Sequence, residues 1–180
     1  GELAKQLLGR TYDVARPGVV AIYLTGSLPA GCGPHDVAIA LVGKLFKSGY
    51  VKNKVMEFVG PGVASLRQDT RNAIDAMTTE TTCLSSIWET DETTQTFLAV
   101  HGRAAVYKKL APADLAYYDG VVEVDLSAIR PMIALPMHPS NAFTIEELNA
   151  NLEDILHACE EDVQKLIGRK AVSYTHLRAH

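Results

Sequence analysis

Alternation between two hydrophobic patterns constrains the fold of this 180-residue chain more than any other feature. The run VVAIYLTG at residues 19–26 is apolar and β-branched and closes on a glycine, which is typical of a strand buried on both faces. A helix follows at residues 35–49: Pro34 suits its first turn, Asp36 lies near its positive N-terminal end, and Gly49 ends it. The chain therefore begins as a strand–helix unit.

The same alternation continues downstream. It predicts strands at 54–60 and 83–88, helices at 67–77 and 91–102, and a β segment at 120–135 that Pro131 interrupts. A long final helix begins at Thr144, because Glu147 three residues later completes a capping box. Strands that alternate with helices in this way predict an α/β fold, with a mainly parallel sheet in a three-layer α/β/α arrangement.

Charge and composition argue against several classes of function. The net charge is −4 and no block of Lys or Arg is present, which argues against a nucleic-acid-binding face. No apolar run approaches the roughly 20 residues that span a bilayer, and no secretory leader opens the chain. Cys32, Cys83 and Cys159 are odd in number and far apart, so they predict buried thiols in a reducing cytoplasm.

Familiar catalytic and nucleotide-binding motifs are absent from the sequence. It contains no G-x-G-x-x-G after the first strand, no G-x-x-x-x-G-K-[ST], no H-E-x-x-H and no G-x-S-x-G. Local sequence motifs alone therefore identify the chain only as an α/β domain.

The stretch MTTETTCLSS at residues 77–86 is unusual, because it places one carboxylate, Glu80, among hydroxyls where the chain should enter its core. The neighbouring hydroxyls could act as donors and keep Glu80 ionised while partly buried; they belong to Thr78, Thr79, Thr81 and Thr82. The alternative is a surface glutamate at a helix end, with threonines that favour the following strand.

Four segments, in this order, carry a resemblance to a known family: YLTGSLPAGCGPHDVAIALVGKLFKSG, KVMEFVGPGVASL, DAMTTETTCLSSIW and VEVDLSAIRPMIALPMHPSN. Together they resemble the middle of the aconitase superfamily over about residues 12–145. Within that superfamily, the amino-acid sequence is most similar to the bacterial hydratases. The resemblance implies an aconitase-like second domain with pieces of its neighbours. The expected boundaries are 1–16 for the end of a preceding domain, 17–137 for the α/β domain, 138–171 for the start of the next, and 172–180 for a non-native tail.

The resemblance also implies a role for Glu80, which matches the family glutamate that faces the active site. There the glutamate hydrogen-bonds to the hydroxyl or water on the labile iron of a [4Fe–4S] cluster, so Glu80 is expected to take or return a proton. His138 and Asn141 lie in the loop LPMHPSN after a strand and are further candidates for substrate binding, although a linker between domains explains the same proline-rich turn. Ala76 departs from the family, which carries Asn at this position.

The family's cluster cysteines are expected outside this chain, downstream, as part of a longer parent protein. The chain alone is therefore expected to bind no cluster and to catalyse nothing. Two functions stay open for the parent protein. The first is an iron–sulfur hydro-lyase that acts on a small hydroxy-polycarboxylate. The second is a non-catalytic protein of the same fold that senses iron or contacts RNA. The sequence leaves the oligomeric state open.

Overall fold

Four parallel strands form the central sheet in the computed structural model, which describes residues 2–11 and 13–168. The strands are β1 (Val19–Thr25), β2 (Val55–Val59), β3 (Ser85–Trp88) and β4 (Gly120–Asp125). Their order across the sheet is β3-β2-β1-β4, and every neighbouring pair is parallel. The predicted α/β fold with a parallel sheet is confirmed.

Six helices accompany the sheet in the described residues: α1 (Glu2–Leu7), α2 (Pro34–Leu45), α3 (Gln68–Met77), α4 (Glu92–Val100), α5 (Ile145–Ala150) and α6 (Leu152–Ile167). The Thr144–Glu147 capping box is present, since the Thr144 hydroxyl accepts the Glu147 N–H at 3.0 Å and Glu147 accepts the Thr144 N–H at 2.8 Å. The prediction that a single long helix follows Thr144 is wrong. Asn151 separates α5 from α6, because its backbone leaves the helical region (φ −132°, ψ 35°); its side chain also donates to the Glu147 carbonyl at 3.3 Å.

The core lies between one face of the sheet and the helices α2 and α3. Alternate side chains of β1 and β2 point to this face and are buried, as are the facing apolar residues of the helices: Val20, Ile22, Leu24, Met56, Phe58, Val37, Leu41 and Ile74. Trp88 closes the edge by stacking on Phe58 at 4.0 Å between ring centroids.

The opposite face of the sheet carries Glu57, which lies between the core residues of β2. The connection from β3 to β4 brings Tyr118 beside Glu57 on this face. Burial, together with the nearby carboxylates of Glu57 and Glu89, raises the pKa of the Tyr118 phenol. Helices on one face and this connection on the other are consistent with the predicted α/β/α layering.

A two-stranded hairpin of β5 (Met132–Ala134) and β6 (Ala142–Thr144) packs along α2. The Asp36 carboxylate near the start of α2 accepts the Met132 N–H at 2.6 Å. Farther along, a Cβ at Gly43 would lie 2.8 Å from the Cβ of Ala142, so only glycine permits this approach. The predicted domain boundary between residues 137 and 138 falls inside this hairpin and stays a prediction.

The β segment predicted at 120–135 is two strands rather than one. The Asp125 carboxylate accepts the Ser127 N–H at 2.9 Å and starts a short 3-10 turn at Leu126–Ala128, before Pro131.

In the described ranges no helix is both long and apolar enough to cross a bilayer. The tail predicted at 172–180 lies outside the described residues.

Candidate functional site

Glu80 lies in a 3-10 turn, Thr78–Thr81, that extends α3 directly at its C-terminal end. The hydroxyls of Thr78 and Thr81 shape this turn, because each donates to the backbone carbonyl three residues earlier, at 2.7 and 2.6 Å. Thr82 then takes a left-handed conformation (φ 62°) and directs the chain toward β3. Glu80 is left on the outer side of the turn with 45% of its side chain exposed.

The expectation that threonine hydroxyls surround the Glu80 carboxylate is wrong. Thr78 and Thr81 are buried, and their hydroxyls bond to the backbone and to neighbours in the core, including Ser86 at 2.9 Å from Thr78. In the part of the chain that the structure describes, no threonine donates to Glu80. The hydroxyls instead satisfy the polar atoms of a turn that enters the core.

His138 is the neighbour that the fold brings to Glu80. It belongs to the loop between β5 and β6, and its Nε2 lies 3.5 Å from Oε2 of Glu80. The ring stacks on Phe46, just past the end of α2, with 3.9 Å between ring centroids. Two candidates that are far apart in the sequence thus meet where α3 and α2 end, at the edge of the sheet where the strands begin.

Hydrogen bonds define which nitrogen of His138 carries the proton. The backbone N–H of Ser140 donates to Nδ1 at 3.1 Å, so Nδ1 presents a lone pair. The neutral ring then carries its proton on Nε2, the atom that faces Glu80. The pair is a ring nitrogen 3.5 Å from a carboxylate oxygen, a distance longer than an ordinary hydrogen bond.

Asn141, the other loop candidate, bonds to the protein itself. Its amide nitrogen donates to the Pro136 carbonyl at 2.9 Å and to the sulfur of Cys159 at 3.1 Å. Its backbone N–H donates to the His138 carbonyl at 2.9 Å. These bonds fix the loop that carries His138. Ala76 lies one helical turn before Glu80 and is exposed.

The three cysteines do not form a ligand set for an iron–sulfur cluster. Cys32 donates to the Ile129 carbonyl at 3.7 Å, Cys83 donates to the Thr78 carbonyl at 3.3 Å, and Cys159 accepts from Asn141. Across residues 2–11 and 13–168, no group of three or more His, Cys, Asp or Glu side chains could hold a metal ion. Such a cluster needs several converging thiolates, so the described residues do not fit as its ligands.

Arg71 is a buried charge that the sequence analysis missed. Its guanidinium is fully buried and donates to the carbonyls of Leu66 (3.1 Å) and Val63 (2.9 Å) and to the Asp91 carboxylate (2.5 Å). Burial opposes the ionisation of Asp91, but hydrogen bonds from Arg71 and the start of α4 outweigh it and lower the pKa of Asp91 to about 2. A signal was present, because Arg71 stands three residues before the core residue Ile74 on α3.

Two surface cavities lie away from Glu80. One, of about 570 Å³, runs between the start of α3 and α4 and includes Arg67, Phe97 and His101. The other, of about 400 Å³, lies beside Pro131. Neither of these two cavities is lined by Glu80 or His138. The Glu80 side chain is partly exposed to solvent.

The fold is that of an α/β domain in which α2 and α3 cover a parallel sheet. An accessible acid, Glu80, lies where α3 ends. Comparison with protein families identifies the domain further. The family model described as "Aconitase family (aconitate hydratase)" matches residues 1–179. The chain belongs to the aconitase family.

Curated relatives with hydratase and dehydratase names match most of the chain. Aconitate hydratase A of Thermus thermophilus is 31% identical over 156 residues, which cover 79% of this chain and 17% of the relative. The 3-isopropylmalate dehydratase large subunit of Caldicellulosiruptor saccharolyticus is 31% identical over 136 residues, 76% of this chain and 31% of the relative. The 2,3-dimethylmalate dehydratase large subunit of Eubacterium barkeri is 30% identical over 132 residues, with 73% and 31% covered. The matched region thus spans less than a third of each of these three proteins.

Proposed function

We propose that this chain supplies the acid–base carboxylate of a hydro-lyase, and that Glu80 is that group. In the dehydration direction a carbon–oxygen bond breaks, and the departing hydroxyl takes a proton from Glu80 to leave as water. The neighbouring carbon loses its own proton to a base outside the described residues, and the carbon–carbon double bond forms. Hydration runs the same steps in reverse.

The observation that carries the proposal is the placement of Glu80. Its side chain is 45% exposed, so a substrate can reach it, and His138 lies beside it at 3.5 Å. Its backbone is fixed in a turn whose hydroxyls are already bonded inside the protein. A carboxylate that is accessible and mounted on a rigid turn meets the geometric requirement for proton transfer.

The proposed substrate is a small hydroxy-polycarboxylate, a class that the names of the malate dehydratase relatives describe. The proposal includes a [4Fe–4S] cluster in the complete protein, with ligands from outside the described residues, and a reducing cytoplasm as its location. Hydroxy-polycarboxylates are anionic, so the complete protein is expected to bind them with cationic side chains.

The test is the turnover of the complete protein carrying Glu80→Gln. Three acids serve as probes: aconitate for hydration, and 3-isopropylmalate and 2,3-dimethylmalate for dehydration, each followed by the ultraviolet absorbance of the conjugated double bond. We expect the wild-type protein to turn over at least one of them, and Glu80→Gln to lower kcat by about 10² to 10⁴-fold, the range for loss of a general acid or base.

The matched control is Glu161→Gln, which neutralises an exposed carboxylate on α6 and should leave kcat unchanged. A folded Glu80→Gln protein with wild-type kcat would contradict the role of Glu80. Failure of the wild-type protein on all three acids would contradict the substrate class.

A further inference from the structure

We propose that His138 is a positioning residue for Glu80: the imidazole Nε2–H holds one carboxylate oxygen and leaves the other directed at the substrate. This inference rests on the proposed function of Glu80. It assigns to the loop between β5 and β6 a part in a site built on the end of α3.

The direction of the donor follows from the contacts of the ring. Because the Ser140 N–H donates to Nδ1 (3.1 Å), the ring proton of neutral His138 stands on Nε2. Nε2 lies 3.5 Å from Oε2 of Glu80, so the Glu80 side chain must move closer to accept an ordinary hydrogen bond from it. Catalytic hydrogen bonds are often this long before substrate binds.

The ring itself cannot turn away easily, because it is held on two sides. Phe46 stacks on one face at 3.9 Å and the Ser140 N–H donates to the edge at Nδ1, while the Asn141 N–H fixes the backbone by donating to the His138 carbonyl. Glu80, in contrast, has only its backbone fixed. A long side chain on a surface samples several rotamers, so a rigid donor beside it selects one.

The hairpin that carries His138 is docked along the whole length of α2. Asp36 bonds Met132 near the start of the helix, Gly43 admits Ala142 in the middle, and Phe46 meets His138 just past the end. The same helix also contacts the turn that carries Glu80. One rigid element therefore sets the distance between the two side chains.

The first test reads the protonation of the ring without any need for activity. The 180-residue chain is labelled with ¹⁵N-histidine, and the His138 ring nitrogens are assigned by comparison with His138→Gln at about pH 8, where imidazole is neutral. We expect the proton on Nε2 and an unprotonated Nδ1. A proton on Nδ1 would place a lone pair against the Glu80 carboxylate and overturn the proposal.

The second test is a set of substitutions in the complete protein, with the substrate found for the wild type. His138→Phe keeps a ring for stacking on Phe46 but has no donor, and we expect kcat to fall by about 10 to 100-fold. His138→Gln keeps a donor near the position of Nε2, and we expect it to recover most of that loss. His138→Asn places its donor near Nδ1 instead, and should remain as impaired as His138→Phe.

His101 provides a matched control, because its ring also lies against a phenylalanine, Phe97 at 4.3 Å, and no carboxylate pairs with it in the described residues. His101→Phe should leave kcat unchanged. In a Glu80→Gln background, His138→Phe should cause no further loss, since the group that it positions is already absent.

Equal losses for the Gln, Asn and Phe variants of His138 would show a packing role and overturn the inference. An undiminished effect of His138→Phe in the Glu80→Gln background would also overturn it. These outcomes differ from a failure of the proposed function, in which Glu80→Gln alone would retain wild-type kcat.

Discussion

The two ends of helix α3 hold charged side chains in opposite ways. Near its start, Arg71 is fully buried, and its donors meet three backbone carbonyls and the Asp91 carboxylate. Just past its end, Glu80 is 45% exposed and has His138 as a neighbour at 3.5 Å. One charge is surrounded and bonded on every side, and the other is accessible.

The two ends of α3 therefore have different roles, one in the stability of the fold and the other in the proposed chemistry. A buried charge is tolerated only when its partners are complete, and complete partners leave no capacity for a ligand. An accessible carboxylate contributes little to folding, but it can exchange protons with a substrate. We infer that the Arg71 end joins α3 to α4 and the core, whereas the Glu80 end serves the proposed reaction.

The largest effect on folding is expected from Arg71→Met. The substitution leaves Asp91 without its partner and removes donors from the Val63 and Leu66 carbonyls. We expect the free energy of unfolding, measured by urea denaturation, to fall by about 3 to 5 kcal/mol.

Arg67→Met is the matched control for that experiment, because Arg67 pairs with Asp69 on the surface with 82% of its own side chain exposed. It should leave the urea midpoint almost unchanged. Equal shifts of the urea midpoint for Arg67→Met and Arg71→Met would contradict the stabilising role assigned to the buried charge of Arg71.

A smaller effect is expected from acid on the Asp91 end. The pKa of Asp91 is lowered from 3.8 to about 2 in the folded protein. A lowered pKa means that ionised Asp91 stabilises the fold fully above about pH 4, and that this stabilisation is lost as the pH falls toward 2. The contribution is on the order of 2 kcal/mol.

The measurement is the urea midpoint of the wild type minus that of Asp91→Asn across this range. The subtraction removes the titration of other carboxylates whose pKa values are also lowered, such as Asp125 and Glu147. We expect the difference to shrink between pH 4 and pH 2. A difference that is constant over that range would contradict the assigned pKa of Asp91.

The sequence predicted the features that depend on neighbouring residues. The strand at 19–26 and the capping box at Thr144 are local patterns, and the structure contains both. The break at Asn151 was missed because the helical pattern of the sequence continues through it, while the backbone of this one residue leaves the helical region. Local periodicity thus predicted the layers of the fold, with an error where a single residue departs from helical geometry.

The environment of Glu80 could not be predicted in the same way. The threonines around it were expected to face the carboxylate, yet Thr78 and Thr81 turn inward because backbone carbonyls lie closer to their hydroxyls. The approach of His138 depends on a distant hairpin docked against Gly43, which no local pattern encodes. Resemblance to a family, rather than any local pattern, singled out Glu80 as the acid.

The central claim is that Glu80 gives a proton to the departing hydroxyl. The most direct measurement compares two substrates of the complete protein: the hydroxy acid that it dehydrates, and the analogue in which fluorine replaces that hydroxyl. Fluoride needs far less help from an acid to leave. The account predicts that Glu80→Gln lowers kcat by about 10² to 10⁴-fold for the hydroxy acid and by less than about tenfold for the fluoro analogue. Equal losses for both substrates would contradict proton donation by Glu80.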